Sequence, residues 1–544
     1  MLLTVYVMFR RLWPVFITLV VSGMAVTWAV AFSVVLDKNI SIFISMVPAV
    51  ILIVATSDVI HLCSAYMLEL GQGKKKEAAI LKSGTDVGKA CLLTSATTFF
   101  GFVSLSFVPT PAFKLLGVVL GFGVAVALLL AMTIAPILFS YLKKPDPWIN
   151  DAHKVQGMLS SVLQRVNTWT REKPVLITVL FALIVMTAIV GVLSLTIETD
   201  LAKRMDESNW VRQDEAYYKT HFSGSNFLEI FIDAPEKKGL LKKETFSKLV
   251  VAQEEFLALN EIDHAVSFVN LIDDIHTQFN PGEDRLALKE LSQAHVAQYL
   301  MLFKMGGGED LKRMLDSRKQ SMRLSMRLPD GGMRAAYDVG EKVRQTGMKI
   351  MGDSVTIEPS GLSYLMGQWL GEMLDGQRKG VAFACVMITI LMIIGLRSLR
   401  VGLISMIPNT IPILALGGYV GLMWDRVDSD TLALAMIAIG IGVDDTIHFL
   451  MRFKIECMRG DGIDAALERT FHFTGRAIVI TTVILATGFA PFAISGYFSI
   501  KIMGTLLPMT LIMALLADLL LVPALAKLGW IRFTMHESSP VASD

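Results

Sequence analysis

Residues 10–136 recur as residues 397–523 at a constant offset of 387, with no gap. Arg10 falls on Arg397, Asp58 on Asp445, His61 on His448, Thr94 on Thr481, Gly101 on Gly488 and Pro136 on Pro523. Both copies are strongly apolar, and each carries an Asp-x-x-His inside an apolar run. The chain must therefore fold as two like blocks. A duplicated membrane block with matched ionisable residues at its centre is how many secondary transporters are built. A charged side chain inside a bilayer costs at least ~3 kcal/mol, so it marks a functional position by default.

The composition fits a membrane protein. Hydrophobic residues make up 53% of the chain and charged residues 18%, with a mean hydropathy of +0.55. A net charge of +1 gives no reason to expect a nucleic-acid partner. A spanning helix needs ~20 apolar residues. Candidate spans are 12–36, 41–68, 91–109, 114–141, 175–196, 379–396, 401–424, 429–451, 477–495 and 502–527. Short loops rich in Lys and Arg mark the cytoplasmic side. These hold Arg10 and Arg11, Lys74–Lys76 with Lys82 and Lys89, and Arg452, Lys454, Arg459, Arg469 and Arg476. The long polar segment 197–375 is then expected on the outer, periplasmic side of a bacterial inner membrane.

The chain divides accordingly. Residues 1–142 are a first transmembrane repeat, made of a stub and four spans. Residues 143–174 are a cytoplasmic amphipathic connector, with Val155, Met158, Leu159, Val162, Val166 and Trp169 at helical spacing. Residues 175–196 are a span leading to an outer α+β domain, 197–375. A second repeat of five spans covers 376–530, and a cytoplasmic tail covers 531–544. The outer segment reads β-α-β, an insert, then β-α-β, which suits a split ferredoxin-like sheet. Its strands are expected at 226–233, 265–270, 320–328 and 354–360, and its helices near 239–258 and 333–349. The insert 271–318 is expected to be mostly helical and to turn near Gly306-Gly307-Gly308. Met1–Phe9 is an apolar stub whose repeat partner, 388–396, is half of a full span. The expectation is that an ancestral first span and first outer domain are missing. Cys63, Cys91, Cys385 and Cys457 all fall in or beside spans and read as packing residues, with no disulfide framework.

The sharpest motif is Gly440-Ile-Gly-Val-Asp-Asp-Thr-Ile-His448, matched in the first copy by Ala55-Thr-Ser-Asp-Val-Ile-His61. Residues three apart share a helix face, so Asp445 with His448, and Asp58 with His61, form two equivalent pairs. On the next helix of each copy, Thr94, Ser95, Thr97 and Thr98, or Thr481 and Thr482, reach comparable depth. Carboxylate, imidazole and hydroxyl can then cluster between helices and hold, release and pass a proton. The plainer reading is a set of structural polar contacts between helices. Asp444 faces only Ser57 in the repeat and ranks below Asp445. Asp518, opposite Ala131, is a further relay candidate. A zinc site is not expected, because the ligand spacing spreads the residues over distant helices. No cofactor is expected, and no nucleophile elbow or phosphate-binding loop appears, so an enzyme is not expected either.

GIGVDDTIHFLMRF, the preceding PNTIP at 408–412 and the closing ADLLLVPAL at 517–525 resemble the resistance–nodulation–division (RND) superfamily. Within it the resemblance is to the MMPL-like branch, which includes hopanoid and other lipid exporters and has Patched and sterol-sensing relatives. The resemblance implies a duplicated helical permease with porter-like outer domains, assembled as a dimer or trimer. It implies proton-coupled export of hydrophobic or lipid-like molecules, with Asp58 and Asp445 carrying the coupling. The alternative is a non-transporting membrane sensor or accessory subunit with the same fold. Proton-dependent efflux separates the two.

Overall fold

The computed structural model describes residues 1–39, 44–143, 154–195, 197–200, 205, 208–222, 226–280, 285–308, 311–329, 332–424, 427 and 429–533. The chain forms two compact units. One joins Met1–Thr196 to Met373–Asp544, and the other is Ile197–Glu372.

The first unit is helical. Its first repeat comprises α1 (Leu2–Phe9), α2 (Leu12–Leu36), α3 (Val47–Gly71), α4 (Lys76–Val103) and α5 (Pro111–Tyr141). The connector α6 (Lys154–Glu172) and the span α7 (Pro174–Leu193) follow. Among the described residues, ten helices are long and apolar enough to cross a membrane, and they cover the ten predicted spans. The central ones, α3 and the residue 431–457 span, are buried nearly all round; α2 and α7 keep most of their surface outward. The short α1 lies against the bundle, with Val5 and Phe9 buried and the Thr4 hydroxyl 3.2 Å from that of Thr487. In α6, Leu163, Asn167 and Thr170 pack inward while Val162 and Trp169 stay exposed. Of the predicted apolar stripe, the side chains of Val155 and Met158 lie outside the described residues, as do 144–153 and 534–544.

The second unit holds α8 (Trp210–Phe222), β1 (Asn226–Asp233), α9 (Lys243–Leu257) and β2 (His264–Val266). The insert carries α10 (Phe268–Phe279), α11 (Gln293–Met305) and α12 (Leu311–Met314). Then come β3 (Ser321–Leu328), α13 (Met333–Met351) and β4 (Thr356–Ser360). The sheet order is β2-β3-β1-β4, antiparallel throughout, as a ferredoxin-like sheet requires. Alternation along β3 buries Met322, Leu324, Met326 and Leu328 beside Leu228, Ile230 and Ile232 of β1 and Phe246 and Phe256 of α9. β2 ends earlier than its apolar run implies. Ser267 accepts from the Val269 N–H and forms a capping box with Asn270, so the chain turns helical there. α8 was not anticipated; none of its side chains is buried, so no core-facing stripe marks it.

The second repeat comprises α14 (Leu362–Leu396), α15 (Leu399–Met423), α16 (Ser429–Gly442), α17 (Asp444–Cys457), α18 (Ile463–Thr470), α19 (Arg476–Phe489), α20 (Phe498–Leu516) and α21 (Val522–Lys527). The duplication extends to the backbone. Arg10 and Arg397, one repeat apart, both adopt positive φ (49° and 52°), each closing one helix before the next. The repeats also exchange contacts: α4 packs on α16 and α17, and its counterpart α19 packs on α3. The copies differ at two π-helical segments, Phe471–Gly475 and Ala517–Leu521, whose counterparts in α4 and α5 are plain α-helix. Such widened turns concentrate at functional sites, and the second one carries Asp518.

Candidate functional site

The central helices bring the predicted polar residues to one place in the bundle. α3 runs unbroken through Asp58 and His61, whereas the matching helix is interrupted at Val443. Asp444 and Asp445 therefore occupy the first turn of α17, where free N–H groups favour negative charge. Asp58, His61, Asp444, Asp445, His448 and Asp518 are all buried.

Two contacts cross between the repeats at equivalent positions. The His61 and His448 rings stack with centroids 3.7 Å apart and planes 7° from parallel. The Ser57 hydroxyl donates to Asp444 Oδ2 at 2.6 Å. Further out, each copy holds one acid against its neighbouring helix. Ser95 donates to Asp58 Oδ2 at 3.1 Å, and its repeat partner Thr482 donates to Asp445 Oδ2 at 2.8 Å. Thr481 Oγ1 lies 3.0 Å from Asp445 Oδ1 and 2.8 Å from the Ile478 carbonyl of its own helix, so its one hydrogen serves one of them at a time. Among the described residues, no Lys or Arg pairs with Asp58, Asp445 or Asp518. A hydroxyl can donate to an ionised carboxylate or accept from a protonated one, so these sites serve either state.

Asp518 sits in a third arrangement. Its Oδ1 is hydrogen bonded to the Thr446 hydroxyl, and Thr446 also lies 2.7 Å from Asn409 Oδ1. Asn409 Nδ2 donates to the Ser405 carbonyl at 2.9 Å, which fixes which end of the amide faces Thr446. One hydroxyl hydrogen cannot serve two acceptors. Both contacts of Thr446 are hydrogen bonds when Asp518 carries a proton on Oδ1 and donates to Thr446, and Thr446 donates to Asn409; Asp518 Oδ2 is buried without a partner. When Asp518 is ionised, Thr446 must turn to it, and Asn409 loses its donor. The protonation state of Asp518 is thereby felt in α15.

A model of the MMPL family matches residues 1–177 and 316–534. The chain belongs to the MMPL family. It is 22% identical over 382 residues to the membrane protein MJ1562 of Methanocaldococcus jannaschii, a match covering 68% of this chain and 94% of that protein. It is 23% identical over 202 residues to the hopanoid transporter HpnN of Burkholderia multivorans, covering 36% of this chain and 23% of the relative. The MMPL chain is thus a multi-pass helical membrane protein of the RND type.

Within this MMPL fold, several predicted residues sit elsewhere than expected. Thr94 and Thr97 donate to carbonyls of their own helix, Cys91 at 3.0 Å and Thr94 at 2.7 Å. Thr98 donates across helices to the Gly440 carbonyl at 2.9 Å. Ser95, of the same predicted group, is the one whose hydroxyl reaches Asp58. His448 Nε2 lies 3.5 Å from Asp444 Oδ1, one turn away, so its carboxylate neighbour is Asp444. The expectation that the two histidines stand on helices too far apart to share a ligand is overturned, because α3 and α17 meet at the repeat axis. Thr446 and Asn409 were not singled out. Both lie inside motifs, DDTIH and PNTIP, whose polar residues could have been tested as one network.

Proposed function

We propose that this MMPL chain is a proton-coupled exporter of hydrophobic or amphiphilic, lipid-like molecules. The observation that carries the reading is the repeat-related pair of buried acids, Asp58 with Ser95 and Asp445 with Thr482, each held by hydroxyls on a helix of the same repeat. Protonation and release at the two acids would alternate, shifting one repeat against the other. Asp518, through Thr446 and Asn409, would pass the change to α15. Each proton moving down 100 mV supplies about 2.3 kcal/mol. In this reading the basic loops face the cytoplasm of a bacterial inner membrane and 197–375 lies outside. The export of a lipid-like substrate is supported by the family and by the likeness to a hopanoid transporter.

Proteoliposomes test it. With an entrapped pH dye and a fluorescent hopanoid-like amphiphile, an imposed proton gradient is expected to drive both fluxes. Asp445→Asn and Asp58→Asn are each expected to abolish them while the protein stays folded, since Asn keeps the shape but cannot carry the proton. Transport by Asp445→Asn at the wild-type rate across pH 6–8 would remove the basis of the reading.

A further inference from the structure

Asp444, His61 and His448 form a group that the proton path above does not use. His61 and His448 are 4% and 5% exposed. His61 Nε2, His448 Nε2 and Asp444 Oδ1 are buried and have no hydrogen-bond partner. Leaving such atoms unpaired in the interior is costly, and the three residues that carry them lie together. One ligand-capable atom from each residue lies within 4.8 Å of the other two. The His448 Nε2–Asp444 Oδ1 separation of 3.5 Å matches the edge of a zinc tetrahedron, about 3.4 Å for bonds near 2.05 Å.

We propose that His61, Asp444 and His448 bind a divalent transition-metal ion of the zinc class at the junction of the two repeats. Two imidazoles and one carboxylate suit zinc, whereas calcium and magnesium take oxygen-rich shells. Two parallel stacked rings cannot both aim an in-plane nitrogen lone pair at one point, so binding requires one ring, that of His61, to rotate about its side-chain bonds. Ser57 holds the second carboxylate oxygen of Asp444, the outer-shell support that metal ligands commonly have. His61 and His448 also line a cavity of ≈ 180 Å³ with Ser64, Glu69, Lys89 and Arg452, which offers a polar approach to the two imidazoles and room for water. The doubled acid of the second copy then has a division of labour: Asp445 contacts the hydroxyls of α19, and Asp444 completes the ligand set that the first copy, with Ser57, lacks. An ion here ties α3 to α17 and so restrains motion of one repeat against the other. The proposal stands independently of the export reading, since it uses different atoms and a different readout.

The full chain, purified without a polyhistidine tag and held in lipid nanodiscs, is stripped with chelator and loaded with Zn²⁺ or Co²⁺. The expected result is one Zn²⁺ retained per chain, counted by mass spectrometry, and a tetrahedral visible spectrum for Co²⁺ that Zn²⁺ displaces. His61→Ala and His448→Ala are expected to abolish retention, and Asp444→Asn to weaken it at least tenfold. His472→Ala, at an exposed histidine, is expected to leave it unchanged. Absence of retained Zn²⁺ in the wild-type chain, or full retention in the His61→Ala/His448→Ala double variant, overturns the proposal. Should the variants fail to fold, X-ray absorption on wild-type chain loaded with Zn²⁺ decides: imidazole scattering supports the site, and an all-oxygen shell overturns it.

Discussion

Ser57 and Asp444 occupy the same position in the two repeats and are hydrogen bonded to each other, Oγ to Oδ2, at 2.6 Å. A contact between equivalent residues can form only where the repeat axis passes. The polar cluster is therefore built on the axis, and any movement of one repeat against the other must act on it. Replacing the hydroxyl leaves a buried carboxylate oxygen without its donor, at a cost of about 1–3 kcal/mol. Ser57→Ala is expected to lower the unfolding temperature of the detergent-solubilised chain, and Ser57→Thr to retain most of it. An unchanged transition in Ser57→Ala would mean that Asp444 finds another donor.

The two off-axis acids are unequally supported. Asp58 has one serine hydroxyl and the weakly donating Cys91 thiol, and Asp445 has two threonine hydroxyls in reach. Removing Ser95 leaves Asp58 with none of these hydroxyls, while removing Thr482 leaves Asp445 with Thr481. Ser95→Ala is therefore expected to slow proton-coupled flux roughly tenfold, the kinetic equivalent of one such hydrogen bond. Thr482→Val alone is expected to do less, and the Thr481→Val/Thr482→Val pair to match Ser95→Ala. Dye-monitored proton flux in proteoliposomes orders the four proteins, and equal rates for Ser95→Ala and wild type would contradict the assignment.

Helix crossings between the repeats are also unequal. A Cβ added at Gly101 would lie 2.4 Å from the Gly440 Cα, a backbone atom that cannot move without its helix. At the equivalent crossing, a Cβ at Gly488 would meet the Ile53 side chain at 3.0 Å, and a side chain can turn aside. Small residues allow such close approach in membrane bundles. Gly101→Ala is expected to force α4 from α16 and to cost more than about 2 kcal/mol, whereas Gly488→Ala is expected to be tolerated. Thermal unfolding of both variants in the same detergent checks the difference, which should vanish if the two crossings are equally loose.

The repeat, the spans and the outer sheet were legible because apolar length, a fixed offset and alternation along β3 each leave a direct trace in sequence. The six acids and histidines were legible for the same reason, as polar residues stranded in apolar runs. What could not be read was the partner of each. Equivalent positions of a duplicated block meet at an axis that no spacing rule reveals, so the His61–His448 stack and the Ser57–Asp444 bond stayed hidden. Which hydroxyl of Thr94, Ser95, Thr97 and Thr98 reaches Asp58 depends on the rotation of α4 about its axis, which spacing alone does not set. The π-helical turn that carries Asp518 follows from packing, and the ADLLL run that forms it has no local signature.

The outer unit gives a prediction in pH. Its α13 carries Glu341, which accepts from Arg344 Nη2 at 2.5 Å and from the Tyr364 hydroxyl at 2.8 Å. The Arg344 hydrogen bond holds the Glu341 carboxyl below its ordinary value, partial burial opposes this, and Tyr364 adds to the lowering. A carboxylate depressed in the folded state stabilises it above the unfolded pKa, about 4.3, and that contribution is lost as pH falls through the folded value. Glu341→Gln is therefore expected to lower the unfolding temperature at pH 7 and to lose its effect as the pH is taken below 4. Tyr364→Phe is expected to show a smaller penalty of the same sign, confined to the same range. Scanning calorimetry of the three full-length proteins from pH 7 downward reads the curves. A Glu341→Gln penalty that persists undiminished at low pH would mean that the side chain acts by packing and not by its charge.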